Sequence, residues 1–254
     1  MAAFLAFEAI HGTRASTIGR RLAAIRYAHK LAGFETPTNS EAVKATLRGI
    51  RRTIGSAPAR KRPATADRVR TMAQQTDGSL KGLRDRTILL LGFSGAFRRS
   101  ELVGLDLLDL EFSLAGLLVT IRKSKTDQEG EGATIPIIAG SAACPIAAVR
   151  AWIKAAGITC GPLFRSIRKG GKIGRRLSGR AVAEIVKKAA TGAGLNAKDF
   201  SGHSLRAGFL TSAAASGASL FKMMDVSRHK SADTLRGYVR DADLFRNHAG
   251  LGLL

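Results

Sequence analysis

Residues 81–93, KGLRDRTILLLGF, carry apolar side chains almost all the way round a helical wheel: Leu83, Ile88, Leu89, Leu90, Leu91 and Phe93. A helix without a polar face cannot lie on a surface, so the fold must wrap other elements around this one. The same run leads directly into Ser94-Gly95-Ala96-Phe97-Arg98-Arg99-Ser100-Glu101-Leu102. Arg98 thus leaves the core at the end of its most buried element, a costly place for a charge that is neither paired nor used. Glu101, three residues later, is the expected partner.

The remaining pattern is mostly helical. Residues 16–33 predict a helix with Ile18, Leu22, Ile25 and Ala28 inward, Tyr27 packing beside that stripe and Gly33 ending it. Asn39 or Ser40 caps a second helix that turns Val43, Leu47 and Ile50 inward. Its opposite face carries Arg48, Arg51 and Arg52, which are either simply solvated or set against a phosphate backbone. Residues 55–63, GSAPARKRP, have nothing to pack and read as a basic linker, with Arg60, Lys61 and Arg62 suited to a nucleic-acid backbone. This places a small helical domain of two or three helices at 1–56, a linker at 57–63 and a larger domain at 64–254. In the larger domain, Thr65-Ala66-Asp67 caps a helix to Gln75, and 117–122 and 134–138 form a β-hairpin with a polar tip holding Lys125. Further helices run from Pro145 to Ala156 and from Ser178 to about Ala190, separated by a Gly/Lys/Arg loop at 165–176. Met223 and Met224 mark a short apolar pattern, and Ser231 caps a last helix with Leu235, Tyr238, Val239 and Ala242 on one stripe. The predicted class is α+β, mostly helical, with a small antiparallel sheet.

Charge narrows the partner. The 254 residues include 41 Lys and Arg against 19 acids, a formal net charge of +22. An excess of that size calls for a polyanion, nucleic acid first and an anionic membrane surface second. The positive charge is spread along the chain, which disfavours a membrane-surface helix. No apolar run approaches the roughly 18 residues of a spanning helix. The N-terminus lacks the features of a secretory signal, and Cys144 and Cys160 lack metal-ligand spacing, so a reducing cytoplasm is expected.

The stretch from His203 to Tyr238 supplies chemistry. His203 and Arg206 share one helical face, and two cations there call for something anionic. His229 follows at a break, and Tyr238 is one of two tyrosines in the chain. Attack on a phosphodiester builds charge on the non-bridging oxygens, which planar guanidinium forks neutralise best. The leaving oxygen needs a proton from a Lys or His, and a phenol becomes a better nucleophile beside cations. Arg98, Lys125, His203, Arg206, His229 and Tyr238 supply all of these parts. His11, His29 and His248 have no such company and are expected to be structural.

These segments resemble a known set. Phe97-Arg98-Arg99-Ser100-Glu101-Leu102 is similar to the first arginine box of the tyrosine recombinase (phage integrase) family, and Ser124-Lys125-Thr126 to its β-hairpin lysine. His203-Ser204-Leu205-Arg206 resembles its H-x-x-R box, and His229 with Tyr238 its terminal box, in the family's order and spacing over residues 65–246. The resemblance implies an integrase-like catalytic domain preceded by a helical, SAM-like core-binding domain, here cut short against the family's four helices. It implies that Tyr238 forms a 3′-phosphotyrosyl link to double-stranded DNA and frees a 5′-hydroxyl. Arg98 and Arg206 would clamp the phosphate, Lys125 would protonate the leaving oxygen, His203 would assist proton transfer and His229 would hydrogen-bond the phosphate, with Glu101 in support. No metal, nucleotide or other cofactor is implied. Four protomers would act on two DNA sites, in a prokaryotic cytoplasm in association with the nucleoid.

One departure is Arg228, which stands where the family usually has Gly. It either strains a turn that wants positive φ or adds a phosphate contact. The apolar terminus after Leu244 either docks on a neighbouring protomer or packs on its own domain. Two rivals share much of this pattern: a type IB topoisomerase-like enzyme, and a DNA-binding regulatory protein that has lost activity.

Overall fold

The computed structural model describes residues 1–57, 61–122 and 132–242. The chain divides into two compact units, Met1–Arg60 and Lys61–Leu254.

The first unit is a three-helix body of α1 (Ala2–Ile10), α2 (Ala15–Leu31) and α3 (Glu41–Ile54). Its core is Leu5, Ala15, Ile18, Leu22, Val43 and Ile50. Ser40 caps α3, its hydroxyl accepting from the Val43 amide at 3.4 Å, and Arg26 donates to the buried Thr38 hydroxyl at 3.0 Å. Two details depart from expectation. Ala28 faces solvent and Tyr27 is 63% exposed, so the inward stripe of α2 ends a turn earlier than its apolar spacing suggests. Arg48, Arg51 and Arg52 are exposed as a basic face, while Arg60 lies outside the described residues.

The second unit is built round α5 (Leu80–Ser94), whose Ile88, Leu89, Leu90 and Leu91 are almost fully buried, as an element apolar on all sides requires. One side packs into a cluster with the sheet and α7 (Pro145–Ala155), the other into a cluster with α4 (Ala66–Gln74) and α8 (Gly179–Gly192). The sheet is β1 (Leu110–Phe112), β2 (Leu117–Ile121) and β3 (Ala133–Ile137), antiparallel in that order. The expected hairpin is β2–β3, with Leu117 opposite Ile137 and Val119 opposite Ile135, all four buried. The period-2 alternation turns them to one face. Helix α7 (Pro145–Ala155) buries Trp152, whose indole donates to the Leu163 carbonyl at 2.9 Å. The segment 165–176, expected as a loop, instead holds a two-stranded ribbon, β4 (Arg165–Ile167) and β5 (Ile173–Arg176).

The supposed linker is also partly docked. The Arg62 amide donates to the Asp199 carbonyl at 2.7 Å and the Ala64 amide to the Ser204 carbonyl at 2.9 Å. The segment lies across helix α9 (Ser204–Ala215) at Gly208, where a Cβ would stand 1.7 Å from the Ala64 carbonyl oxygen. Only glycine permits that crossing. Lys61 and Arg62 stay exposed at their side chains. Two more helices complete the described chain: α10 (Leu220–Ser227) and α11 (Ala232–Ala242). The terminal apolar segment lies outside the described residues. Among those residues, no helix is long and apolar enough to cross a membrane.

Candidate active site

Helix α5 stops at Ser94, and the chain reverses through Gly95, Ala96 and Phe97 before α6 (Arg99–Gly104) begins. Ala96 takes φ +45° in a fully buried position, one of two described non-glycine residues with positive φ. The other is Arg228, at φ +57° and ψ 41°. Each costs on the order of 1–2 kcal/mol, and both lie in the same cluster of charged side chains.

Arg98 is the N-cap of α6. Its Nη1 donates to Glu101 Oε1 at 2.6 Å, and its backbone amide donates to Oε2 at 2.8 Å. The Glu101 side chain is 0% exposed, so the expected pairing holds. Burial alone would raise its pKa, but Arg228 and Arg98 together hold the carboxyl below its usual value. Arg228 donates from Nη2 to Oε2 at 2.7 Å, and from its guanidinium to the carbonyls of Val226, Gly95 and Ala96. The side chain is 10% exposed and directed inward, so it takes up the strained turn and does not reach outward to a phosphate.

His203 is the N-cap of α9 and Arg206 stands in its first turn. The face they were expected to share therefore begins at the helix end, where the dipole also favours an anion. Arg206 is 1% exposed, and its Nη1 donates to the Ala96 carbonyl at 2.7 Å. Its pKa is pushed down to about 9 by burial, with Arg98 and Arg228 adding repulsion. It stays cationic at neutral pH, and Tyr238 is among the groups whose negative form stabilises it. His203 is solvent-accessible at its edge; the protein packed around it, then Arg206, Arg98 and Arg99, push its pKa below the usual imidazole value.

His229 follows α10. Burial, then Arg206, pushes its pKa down to about 4, so the ring is neutral at physiological pH. The Ser227 hydroxyl is buried between the Met223 carbonyl, at 2.6 Å, and His229 Nδ1, at 2.7 Å. A carbonyl can only accept, so the hydroxyl donates to Met223 and accepts from Nδ1–H. Nε2 is left as an acceptor, 3.3 Å from Arg206 Nη2. Tyr238 is half-buried on α11, packed with Leu210, Met223 and Leu235, which join α9, α10 and α11.

Arg98, Glu101, His203, Arg206 and His229 are thus brought together, with Tyr238 within electrostatic reach of Arg206. Lys125 lies outside the described residues. The hairpin that carries it is held at its base: Arg122 donates to Asp106 at 2.6 Å and Asp109 at 2.9 Å, and Arg176 donates to Asp106 at 2.5 Å. His11 and His29 each bond a carbonyl four residues earlier, at 2.8 and 2.9 Å, as structural histidines do. Sequence reasoning missed the part played by Ser227 and the inward course of Arg228. The signal for both was polar side chains immediately before His229, at the end of an apolar pattern. Among the described residues, no group of three or more His, Cys, Asp or Glu could hold a metal ion. What the cluster can do is bind an oxyanion with fixed guanidiniums and offer neutral imidazoles as proton acceptors.

Comparison with known proteins gives a consistent result. The profile of the Phage integrase family matches residues 63–244. An integrase/recombinase XerD homolog of Selenomonas ruminantium is 37% identical over 243 residues, covering 93% of this chain and 71% of that protein. The Cre recombinase of Escherichia phage P1 is 24% identical over 261 residues, covering 94% and 75%. Among solved structures, a Tn1549 transposon integrase in complex with circular intermediate DNA aligns with a TM-score of 0.69 at 14% identity, over 93% of this chain and 79% of that one. A lambda integrase dimer bound to a core site aligns with a TM-score of 0.68 at 19% identity, over 94% and 63%. The likeness of these structures is one of fold. With a profile match spanning most of its length and a relative at 37% identity, the chain belongs to the phage integrase family of tyrosine recombinases.

Proposed function

We propose that this chain is a site-specific recombinase that breaks and rejoins DNA strands, with Tyr238 as nucleophile. The supporting observation is the chain of contacts from the Ala96 carbonyl through Arg206 to His229, near the Arg98–Glu101 pair, with Tyr238 within electrostatic reach of Arg206. The Tyr238 oxygen attacks the scissile phosphorus; the new O–P bond forms as the P–O5′ bond breaks. Arg98 and Arg206 neutralise the charge that builds on the non-bridging oxygens. The phenolic proton passes to a neutral imidazole, His203 being the accessible one, and Lys125 protonates the departing 5′-oxygen. His229 holds Arg206 until the phosphate arrives; the added negative charge then favours proton uptake at Nε2, from which it can bond the phosphate. The 3′-phosphotyrosyl link keeps the energy of the broken bond, so the reverse attack by a 5′-hydroxyl reseals the strand.

The first unit serves as a helical core-binding domain whose exposed Arg48, Arg51 and Arg52 meet the DNA backbone, with Lys61 and Arg62 doing so next to the catalytic unit. Strand exchange between two sites takes four protomers. Incubating wild type and Tyr238→Phe with a pool of nicked duplexes in EDTA tests the chemistry. The expected result on denaturing gels is a metal-independent covalent adduct that Tyr238→Phe lacks. An adduct of equal yield in Tyr238→Phe would refute Tyr238 as nucleophile.

A further inference from the structure

Arg228 occupies a left-handed backbone position, φ +57°, that suits glycine, yet it is an arginine whose side chain is only 10% exposed, with a built environment. Its guanidinium spans Glu101 Oε2 at 2.7 Å, the Val226 carbonyl at 2.6 Å, the Gly95 carbonyl at 3.2 Å and the Ala96 carbonyl at 3.3 Å. It also lies 5.4 Å over the Phe97 ring. Its Nε has no hydrogen-bond partner among the described residues. A strained backbone and an orphaned donor offset part of what the ion pair and carbonyl bonds of Arg228 contribute to stability, so its placement beside Arg98 calls for a reason besides folding.

The geometry points to Arg228 as a positioning residue for Arg98. Glu101 has two oxygens and both are in use: Oε1 takes one nitrogen of Arg98, and Oε2 is shared by the Arg98 amide and Arg228. With Arg228 present, Glu101 tethers Arg98 through a single side-chain nitrogen, which leaves the rest of that fork to meet a phosphate. Without it, the carboxylate would face Arg98 alone, free to take its fork in two bonds and neutralise it. Arg228 also ties the turn before His229 to the turn before Arg98, through Gly95 and Ala96. The two halves of the site thereby share one carboxylate and one carbonyl, since Arg206 bonds the Ala96 oxygen too.

This inference rests on the reading of Arg98 as a phosphate clamp, and the experiment separates the two. Adduct formation by wild type, Arg98→Ala, Arg228→Gly and Arg228→Lys would be timed on a nicked duplex with an ordinary scissile phosphate. The same variants would be timed on one with a methylphosphonate, which lacks one anionic oxygen. Arg228→Gly relieves the backbone strain but loses the ion pair to Glu101 and three carbonyl bonds, so its melting temperature should fall, and rates are compared per folded molecule well below melting, with duplex affinity close to wild type. Its rate on the ordinary phosphate should fall about 10-fold or more. Arg228→Lys should regain part of that rate. The Arg228→Gly defect should shrink on the methylphosphonate in parallel with that of Arg98→Ala, because less charge then needs neutralising. An unchanged rate in Arg228→Gly, a defect equal on both substrates, or no recovery in Arg228→Lys would overturn the role. A wild type that forms no adduct would instead refute the strand-cleavage reading itself, and with it the inference.

Discussion

Arginines withdrawn from solvent lie near both ends of helix α5, and they are set in opposite ways. Near the N-terminal end, Arg84 donates from Nε and Nη2 to one oxygen of Asp85, at 2.9 and 2.6 Å, and from Nη1 to the Arg165 carbonyl at 3.2 Å. One cation meets one anion, and the side chains are 5% and 11% exposed. Burial raises the Asp85 pKa there, opposed by Arg84. Beyond the C-terminal end, among the described residues, Arg98 and Arg228 pair with Glu101 and Arg206 lies within electrostatic reach of it, three positive charges against one negative, an excess of two. A balanced pair completes itself within the fold. An unbalanced cluster is completed by an anion from outside, and its own repulsion is the cost of waiting for one.

Each end can be broken separately. At the balanced end, Arg84→Met should destabilise by about 3–5 kcal/mol in urea unfolding, because Asp85 is left buried and alone. The double variant Arg84→Met/Asp85→Leu should regain most of that loss, since a buried pair contributes little net stability over apolar packing. Failure of the double variant to recover would mean that the pair does more than satisfy itself.

At the unbalanced end, Glu101→Gln removes the sole carboxylate facing three guanidiniums, and should cost about 2–4 kcal/mol of stability. It should also slow adduct formation, because Arg98 loses its tether. The depressed carboxyl pKa sets the sign with pH: Glu101 stabilises above its unfolded value of 4.5, and that contribution is lost as pH falls through the lower folded value. His229 acts the same way in a different window. Its folded pKa of about 4 lies below the usual 6.5, so the unfolded chain binds the extra proton between them. Stability should therefore fall as pH drops from 6.5 toward 4, and His229→Gln should flatten that part of the curve measured by thermal melts.

The smallest effects belong to the exposed basic face of α3. Arg51→Gln and Arg52→Gln should each change stability by less than about 0.5 kcal/mol. Each should lower the log–log salt slope of duplex binding by about 0.9 for a lost phosphate contact. An unchanged slope would remove that face from the DNA contact.

The elements legible in the sequence were those with a strong local period. Helix α5 declared itself by being apolar all round, and β2–β3 by alternation, because each pattern has one way to bury itself. The ribbon β4–β5 was hidden: its strands are three and four residues of mostly Arg, Ser and Gly, and its apolar signal is one cross-strand pair, Ile167 opposite Ile173. The docking of residues 61–64 depends on Gly208, about 145 positions away, which no window of sequence brings together. At the site, Arg98, His203, Arg206, His229 and Tyr238 were legible as residue types in order, and the structure links the other four to Arg206, His229 by a direct contact and Arg98, His203 and Tyr238 electrostatically. What could not be read was direction. Arg228 turns inward to a carboxylate 127 positions earlier, and Ser227 sets the His229 tautomer through a carbonyl of its own helix.

The comparison between the two ends of α5 is tested most directly by one pair of variants, Arg84→Met and Arg206→Met, each measured for unfolding free energy and for adduct rate per folded molecule. A crossed result is expected. Arg84→Met loses stability and keeps its rate, while Arg206→Met keeps its stability within about 1 kcal/mol and loses about 10²–10³-fold or more in rate, as expected for a lost donor to developing charge. If Arg206→Met were as destabilised as Arg84→Met and cleaved at the wild-type rate, the charge excess would be a feature of the scaffold and not the site of reaction.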